Sequence, residues 1–281
     1  MGDSGNQADE SANMLALRRV RSMRNQKGHL RGAPGRRIGL RTRWTAASLA
    51  IAAAVVTTFL VAGTGSGSTG TRPLTSDEAN RLAITRFRNY QAGGRAVTIT
   101  VPGTAGGLVV TGSLDYRGKL GYGTVRGTGR DTSSDGLIEW NATTVFVHPM
   151  ADPPDRAPAS PPGSGWFSRP LQTSGSALDT SLTIALGLGS DRPDNAELLP
   201  QNGAVKVGHD EVAGHQVDVM TGPHSRTAAG TAGAVRYWIG ADGTMYRVRV
   251  GVSSESQPVV VDFDTHTYVP VRPVPGATPT P

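Results

Sequence analysis

"HDEVAGH", residues 209–215, gathers two imidazoles and two carboxylates in one short stretch. Histidine and carboxylate side chains are good ligands for several divalent ions. The spacing is not the helical H-E-x-x-H of zinc hydrolases. Gly208 and Gly214 instead predict a hairpin tip, with His209, Asp210, Glu211 and His215 turned to water. No metal site is expected there. The other candidates for hydrolysis are His148, His224 and His266, scattered among proline and turn residues. There is no G-x-S-x-G elbow, no S-x-x-K, no P-loop and no dinucleotide fingerprint. The absence of cysteine excludes disulfides, thiolate metal sites, a cysteine nucleophile and a lipid-modified cysteine. The chain is therefore expected to be no enzyme and to need no cofactor.

What remains is a set of large residues on strand patterns. Leu114, Tyr116, Trp140, Phe146, Trp166, Trp238 and Phe263 are the candidates for the wall of an apolar cavity. The alternative is an ordinary core filled by helices. Glycines at positions 121 and 123 interrupt the alternation, so parity does not assign which of the seven would face a ligand.

The elements around them read as follows. Thr75 and Glu78 form a capping box, and Ala79, Leu82, Ala83, Phe87 and Tyr90 follow helical spacing, which predicts a helix over 76–91. Alternating runs follow in "AVTITV", "LVVTGSLDY", "KLGYGTVR", "GLIEWN" and "TTVFVH". Six prolines between 149 and 165 break regular structure, and "SALDTSLTIALGLG" and "PDNAELLP" read as helical. Strands resume in "AVKVG", "GHQVDVMTG", "VRYWIG", "TMYRVRVG" and "PVVVDFD". Nearly every strand has one apolar and one polar face, which predicts an antiparallel sheet wetted on one side, with amphipathic helices on the other. Arg247 and Arg249 share one polar face and Asp262 and Asp264 another, so a pairing of opposite charges across the last hairpin is expected. The fold class is α+β: a curved antiparallel half-barrel sheet of about ten strands, its apolar face covered by helices, preceded by one transmembrane helix.

The N-terminal quarter has a different character. Residues 1–43 hold ten Arg or Lys against three acids, whereas the rest of the chain has 18 basic and 19 acidic residues. A nucleic-acid-binding domain carries its positive charge on the folded part, so nucleic acid is not an expected partner. Trp44–Ala62 is uncharged, and its 19 residues reach roughly 28 Å as a helix, the thickness of a hydrocarbon core. Arg36, Arg37, Arg41 and Arg43 precede it, and no charge follows until Arg72. By the positive-inside rule the N-terminus stays in the cytoplasm and the C-terminal domain is exported. The competing reading is a cleaved export signal, since "RRIGLR" resembles a twin-arginine motif. The expected organisation is a basic disordered cytoplasmic tail (1–43), a transmembrane helix (44–62), a flexible linker (63–73), an exported domain (74–264) and a Pro-rich disordered tail (265–281).

The order of helix, strands, Pro-rich loop with a tryptophan, helices and strands resembles the LolA-like superfamily. It is closest to the branch of bacterial envelope lipid-carrier lipoproteins. "GHDEVAGHQVDVMTG" resembles that branch's central hairpin, and "YWIGADG" its Trp-Ile strand and turn. The departure is the missing lipidated cysteine, with a transmembrane anchor in its place. The resemblance implies a half-barrel that binds a lipid or an acylated partner without catalysis at the cell membrane. Two other functions stay open: a regulatory or sensory ectodomain recognising an envelope protein, and an envelope hydrolase.

Overall fold

A capping box starts the ordered structure. In the computed structural model the Thr75 hydroxyl accepts from the Glu78 amide, and the Glu78 carboxylate accepts from the Thr75 amide at 2.9 Å. The structure describes residues 70–104, 106–130, 132–172, 174–223, 235–263 and 267–275. The expected cytoplasmic tail, the membrane segment 44–62 and most of the linker lie outside the described residues. Among the described residues no helix is long and apolar enough to cross a membrane. Helix α1 spans Ser76–Gln91, the bounds that the sequence predicts, and buries Ala79, Leu82, Ala83 and Asn89. Its acidic first turn and Arg88 in the last turn complement the helix dipole.

The chain then runs through β2 (Gly94–Val101), β3 (Leu108–Asp115), β4 (Leu120–Gly127), β5 (Gly136–Trp140), β6 (Thr144–Pro149) and β7 (Phe167–Pro170). Helices α2 (Ala177–Leu186) and α3 (Leu198–Gln201) follow. The second run of strands is β8 (Val205–Val212), β9 (His215–Thr221), β10 (Arg236–Ile239), β11 (Met245–Val250) and β12 (Val259–Phe263). With β1 (Arg72–Pro73) they form one open sheet in the order β1-β8-β9-β10-β11-β12-β2-β3-β4-β5-β6-β7. Every named pairing is antiparallel, and β12 joins the two runs by pairing with β2. The sheet has 12 strands where about ten were expected. The two additional strands are its short edges, β1 and β7. Both contain proline, so neither shows the alternation that marks a strand.

Register assigns the faces. Val97 pairs with Gly112 and Phe263, and Ile99 pairs with Val110 and Val261. These residues share a face with Leu114, Val125, Ile138, Trp140 and Val145. Against them pack Leu182, Ala185 and Leu188 from α2 and the segment after it, forming the main core. The Trp140 indole lies on Gly121, where a Cβ would stand 2.3 Å from the ring, and its N–H donates to the Leu182 carbonyl at 3.2 Å. The glycine at 121 thus provides a close approach and not a break in the strand. Each fully buried large side chain here stabilises the fold by about 1.5–3 kcal/mol.

The opposite face is not wetted over β3–β6. Tyr122, Thr124, Leu137, Glu139 and Phe146 lie there and are buried. Two Pro-rich segments of the chain itself cover them. One is the loop of residues 150–166, whose Trp166 ring stands 5.3 Å from that of His148. The other is residues 267–275, part of the tail expected to be disordered. They run across the sheet as an extended strap, with the Val269 amide on the Ser113 hydroxyl at 3.1 Å and the Val274 amide on both Glu139 oxygens at 3.1 Å. Proline favours this extended path and removes donors that would otherwise need partners. The register across the last hairpin agrees with the charge pattern: Arg247 faces Asp262 and bonds it at 2.5 Å. Arg249 faces Val260 instead, with its guanidinium 5.9 Å from the Trp238 ring, and Asp264 lies outside the described residues.

Glu139 is 0% exposed. Burial pushes its carboxyl up to about 7, against the opposing hydrogen bond from the Val274 amide. The folded state therefore keeps a proton that the unfolded chain has released between about pH 4.5 and about pH 7. Stability from this site is full below that window and falls as pH rises through it. Glu139→Gln is expected to flatten the decline in melting temperature across the window. A variant whose decline matches the wild type would remove Glu139 as its source.

Candidate functional site

Two arginine forks position the helices that shape the site. In α1 the third residue, Glu78, is buried and receives Arg72 of β1 at 2.7 and 2.6 Å. In α2 the third residue, Asp179, is 0% exposed and receives Arg169 of β7 at 2.6 and 2.6 Å. The caps match as well, because the Ser176 hydroxyl accepts from the Asp179 amide as Thr75 does from that of Glu78. Each helix is thus bound by its N-terminal carboxylate to one edge strand of the sheet. Glu78 also receives Lys206 at 3.1 Å, and Lys206 continues to Asp218 at 2.7 Å, which Arg81 and His209 also contact at 2.7 Å. The Arg72 hydrogen bond holds the Glu78 carboxyl far below the usual range. Burial pushes the Asp218 carboxyl up, but its bonds from Lys206 and Arg81 outweigh that and leave it lowered.

Between the helices the segment after α2 is bonded to α1. The Ser190 amide donates to the Arg86 carbonyl at 3.1 Å, and the Asp194 amide to that of Ala83 at 2.9 Å. The Arg86 side chain forks onto Asp194 at 2.6 and 3.2 Å and reaches the Gly187 carbonyl at 3.3 Å. This bridge separates two clefts that share Arg86. The smaller, about 360 Å³, lies among Leu82, Leu198, Leu199 and Tyr237. The larger, about 640 Å³, lies between the C-terminal ends of α1 and α2 and the turns after β3 and β5. Tyr90, Tyr116, Leu186 and Ala142 supply its apolar wall, with Arg117 and Lys119 from the β3–β4 turn. Burial pushes the phenols of Tyr116 and Tyr237 above their ordinary range, so both stay neutral. No histidine is among the described residues lining either cleft. Among the described residues the arrangement offers shape, apolar surface and cations, with no paired nucleophile and base in the lining.

The seven candidate wall residues are distributed over three places. Leu114, Trp140 and Phe263 are 0–1% exposed within the main core. Tyr116 alone borders the larger cleft. Phe146 lies on the opposite face under the Pro-rich cover, of which Trp166 is itself a part, and Trp238 lies on that face in a separate cluster with Val212, Val217 and Val219. The "HDEVAGH" residues diverge as well. His209, Asp210 and Glu211 lie within β8, and the hairpin tip is Ala213–Gly214. Asp210 accepts from the Trp238 indole at 2.8 Å, Glu211 from Gln216 at 2.7 Å, and His215 stacks on Tyr246. Among the described residues no group of three or more His, Asp or Glu is placed to hold a metal. The residues that shape the clefts, Arg86, Asp194 and Lys119, carried no sequence signal. Arg86 and Asp194 are 108 positions apart, and no local spacing announces such a pair.

No protein-family model and no curated protein matches the chain. Solved structures similar to it include an uncharacterized conserved protein from Thermus thermophilus, at 10% identity and a TM-score of 0.33, over 66% of this chain and 85% of the other. A domain described as outer membrane lipoprotein-sorting, from Vibrio parahaemolyticus, is similar at 10% identity and a TM-score of 0.30, over 68% and 92%. A LolA superfamily protein from Nitrosomonas europaea is similar at 12% identity and a TM-score of 0.26, over 72% and 96%. At these scores the reading of the site rests on its own geometry.

The forks differ in one testable respect. Among the described residues Glu78 has two cations, Arg72 and Lys206, whereas Asp179 has Arg169 beside the Gln172 amide. Removing the partner of a buried charge costs about 3 kcal/mol or more. Arg169→Ala is expected to destabilise by about that amount and Arg72→Ala by about 1 kcal/mol, as measured by urea denaturation. Equal losses would contradict the difference in compensation.

Proposed function

We propose that this chain is a membrane-tethered, non-catalytic binding domain that receives a lipid or an acylated partner in the cleft between α1 and α2. The carrying observation is the larger cleft itself. Its volume of about 640 Å³ lies in the range of small-molecule sites, about 300–1,000 Å³. Its walls are fixed in advance by the two arginine forks and the Arg86 bridge, so a ligand need not order them. The core beneath is filled, which makes the ligand a guest between the helices and not within the sheet. Burying an acyl chain there would contribute about 0.8 kcal/mol per methylene.

The tether and the location come from the sequence. The uncharged segment 44–62 with arginines on its N-terminal side supports a single-pass anchor, a cytoplasmic N-terminus and an exported C-terminal domain. A reporter that is active only outside the cytoplasm, fused after residue 281, is expected to be active. Activity of a cytoplasmic reporter at that position would overturn the topology.

A second reading, recognition of an envelope protein, draws on two exposed apolar side chains, Phe167 of β7 and Leu198 of α3. Organic extraction of purified residues 64–281, followed by mass spectrometry, separates the two readings. The lipid reading expects a stoichiometric co-purified lipid, lost in Thr183→Trp, which places an indole into the larger cleft from an exposed position. Wild-type protein free of lipid that captures a partner through Phe167 would favour the second reading.

A further inference from the structure

Lys119 holds a backbone conformation that its residue type disfavours. Its φ is +50°, in the left-handed region, and among the described residues Ala213 is the only other non-glycine there. Sterics favour glycine at such a position, yet this turn carries its glycine one residue earlier, at 118. The lysine therefore lowers the stability of the turn it closes. A strained residue of this kind points to a role outside the turn.

The surroundings indicate that role. Every other charge lining the larger cleft is engaged. Arg86 is forked onto Asp194, and Asp191 lies 3.5 Å from Arg192. Arg117 spends its guanidinium on the last carbonyls of α1, reaching that of Gln91 at 2.8 Å. Lys119 is exposed and has no hydrogen-bond or ion-pair partner among the described residues. An unpaired lysine thus lines a cleft whose apolar lining is the buried Tyr116, the half-buried Leu186, and Ala142. An exposed cation beside buried apolar surface in one cleft matches a single-chain amphiphile with an anionic head.

We infer that the larger cleft takes a fatty-acid-class ligand, its chain between α1 and α2 and its carboxylate on Lys119. This rests on the lipid-binding reading above and adds the charge of the head group. The strain at φ +50° is then maintained because a glycine there would remove the head-group contact.

The test uses the full chain reconstituted in bilayer discs and two photoactivatable probes, a long-chain fatty acid and the fatty alcohol of the same chain. Labelled peptides are read by mass spectrometry. In the wild type the acid is expected to label the β3–β4 turn and α2 more strongly than the alcohol, with the difference shrinking as salt is added. Lys119→Gly is expected to cut labelling by the acid about fivefold and to leave the alcohol unchanged. The same substitution is expected to raise the melting temperature, because it relieves the turn. Lys119→Arg is expected to retain labelling by the acid. If acid and alcohol label alike in the wild type and in Lys119→Gly, the head-group assignment is overturned while lipid binding stands. If neither probe labels the cleft, the lipid reading itself is overturned.

Discussion

Two buried carboxylates, Glu78 and Asp179, hold this structure in register. Each is the third residue of a helix and donates its amide to the N-cap hydroxyl, and each is gripped bidentately by an arginine from an edge strand. A buried carboxylate without such a partner is strongly destabilising, so the helices have one place to sit. That place is set from the two ends of the sheet, since β1 and β7 are its outermost strands. The separation of α1 and α2, and with it the width of the cleft between them, is therefore fixed by elements far apart in the sheet order. Bidentate geometry matters here, because a lysine would supply charge without orientation.

The division between core and cleft follows from the same constraint. The Trp140 indole, seated on Gly121 and bonded to the Leu182 carbonyl, brings the middle of α2 close against the sheet. Contact there fills the core. Toward the C-terminal ends of the two helices the segment after α2 turns across to α1, and Arg86 and Asp194 bridge it. The side chains there do not fill the space between the two helices, and the clefts remain. The sheet's apolar face was open to two readings, a cavity wall or an ordinary core; the helices fill it as a core, and the space lies at the margin of the helical layer.

Periodicity and capping made much of the fold legible. Thr75 and Glu78 announced α1, and the alternating runs announced β2–β6 and β8–β12, because local propensity and burial agree in those segments. The edge strands escaped notice: "RP" and "FSRP" owe their strand geometry to a neighbour, not to pattern. The strap over residues 267–275 escaped for a related reason. A Pro-rich run resembles a disordered tail until a carboxylate such as Glu139 is found waiting for its amide. Five of the seven large residues lie on strands, with Tyr116 in the turn after β3 and Trp166 in the loop before β7. The face of each strand residue depends on register, and Phe146, one position from Val145, points to the opposite side. The cleft was least legible, since Arg86, Asp194 and Lys119 meet only through tertiary structure.

The Pro-containing edges have a consequence for assembly. An open sheet ends in two rows of backbone donors and acceptors, the usual template for adding a strand from another molecule. Here one border is two residues long and carries Pro73, and the other is four long and carries Pro170. Each proline deletes a donor from its row, and each arginine on these borders is turned inward to a helix. The two short edge strands are thus poor templates for an added strand, and lateral growth through β1 or β7 is disfavoured.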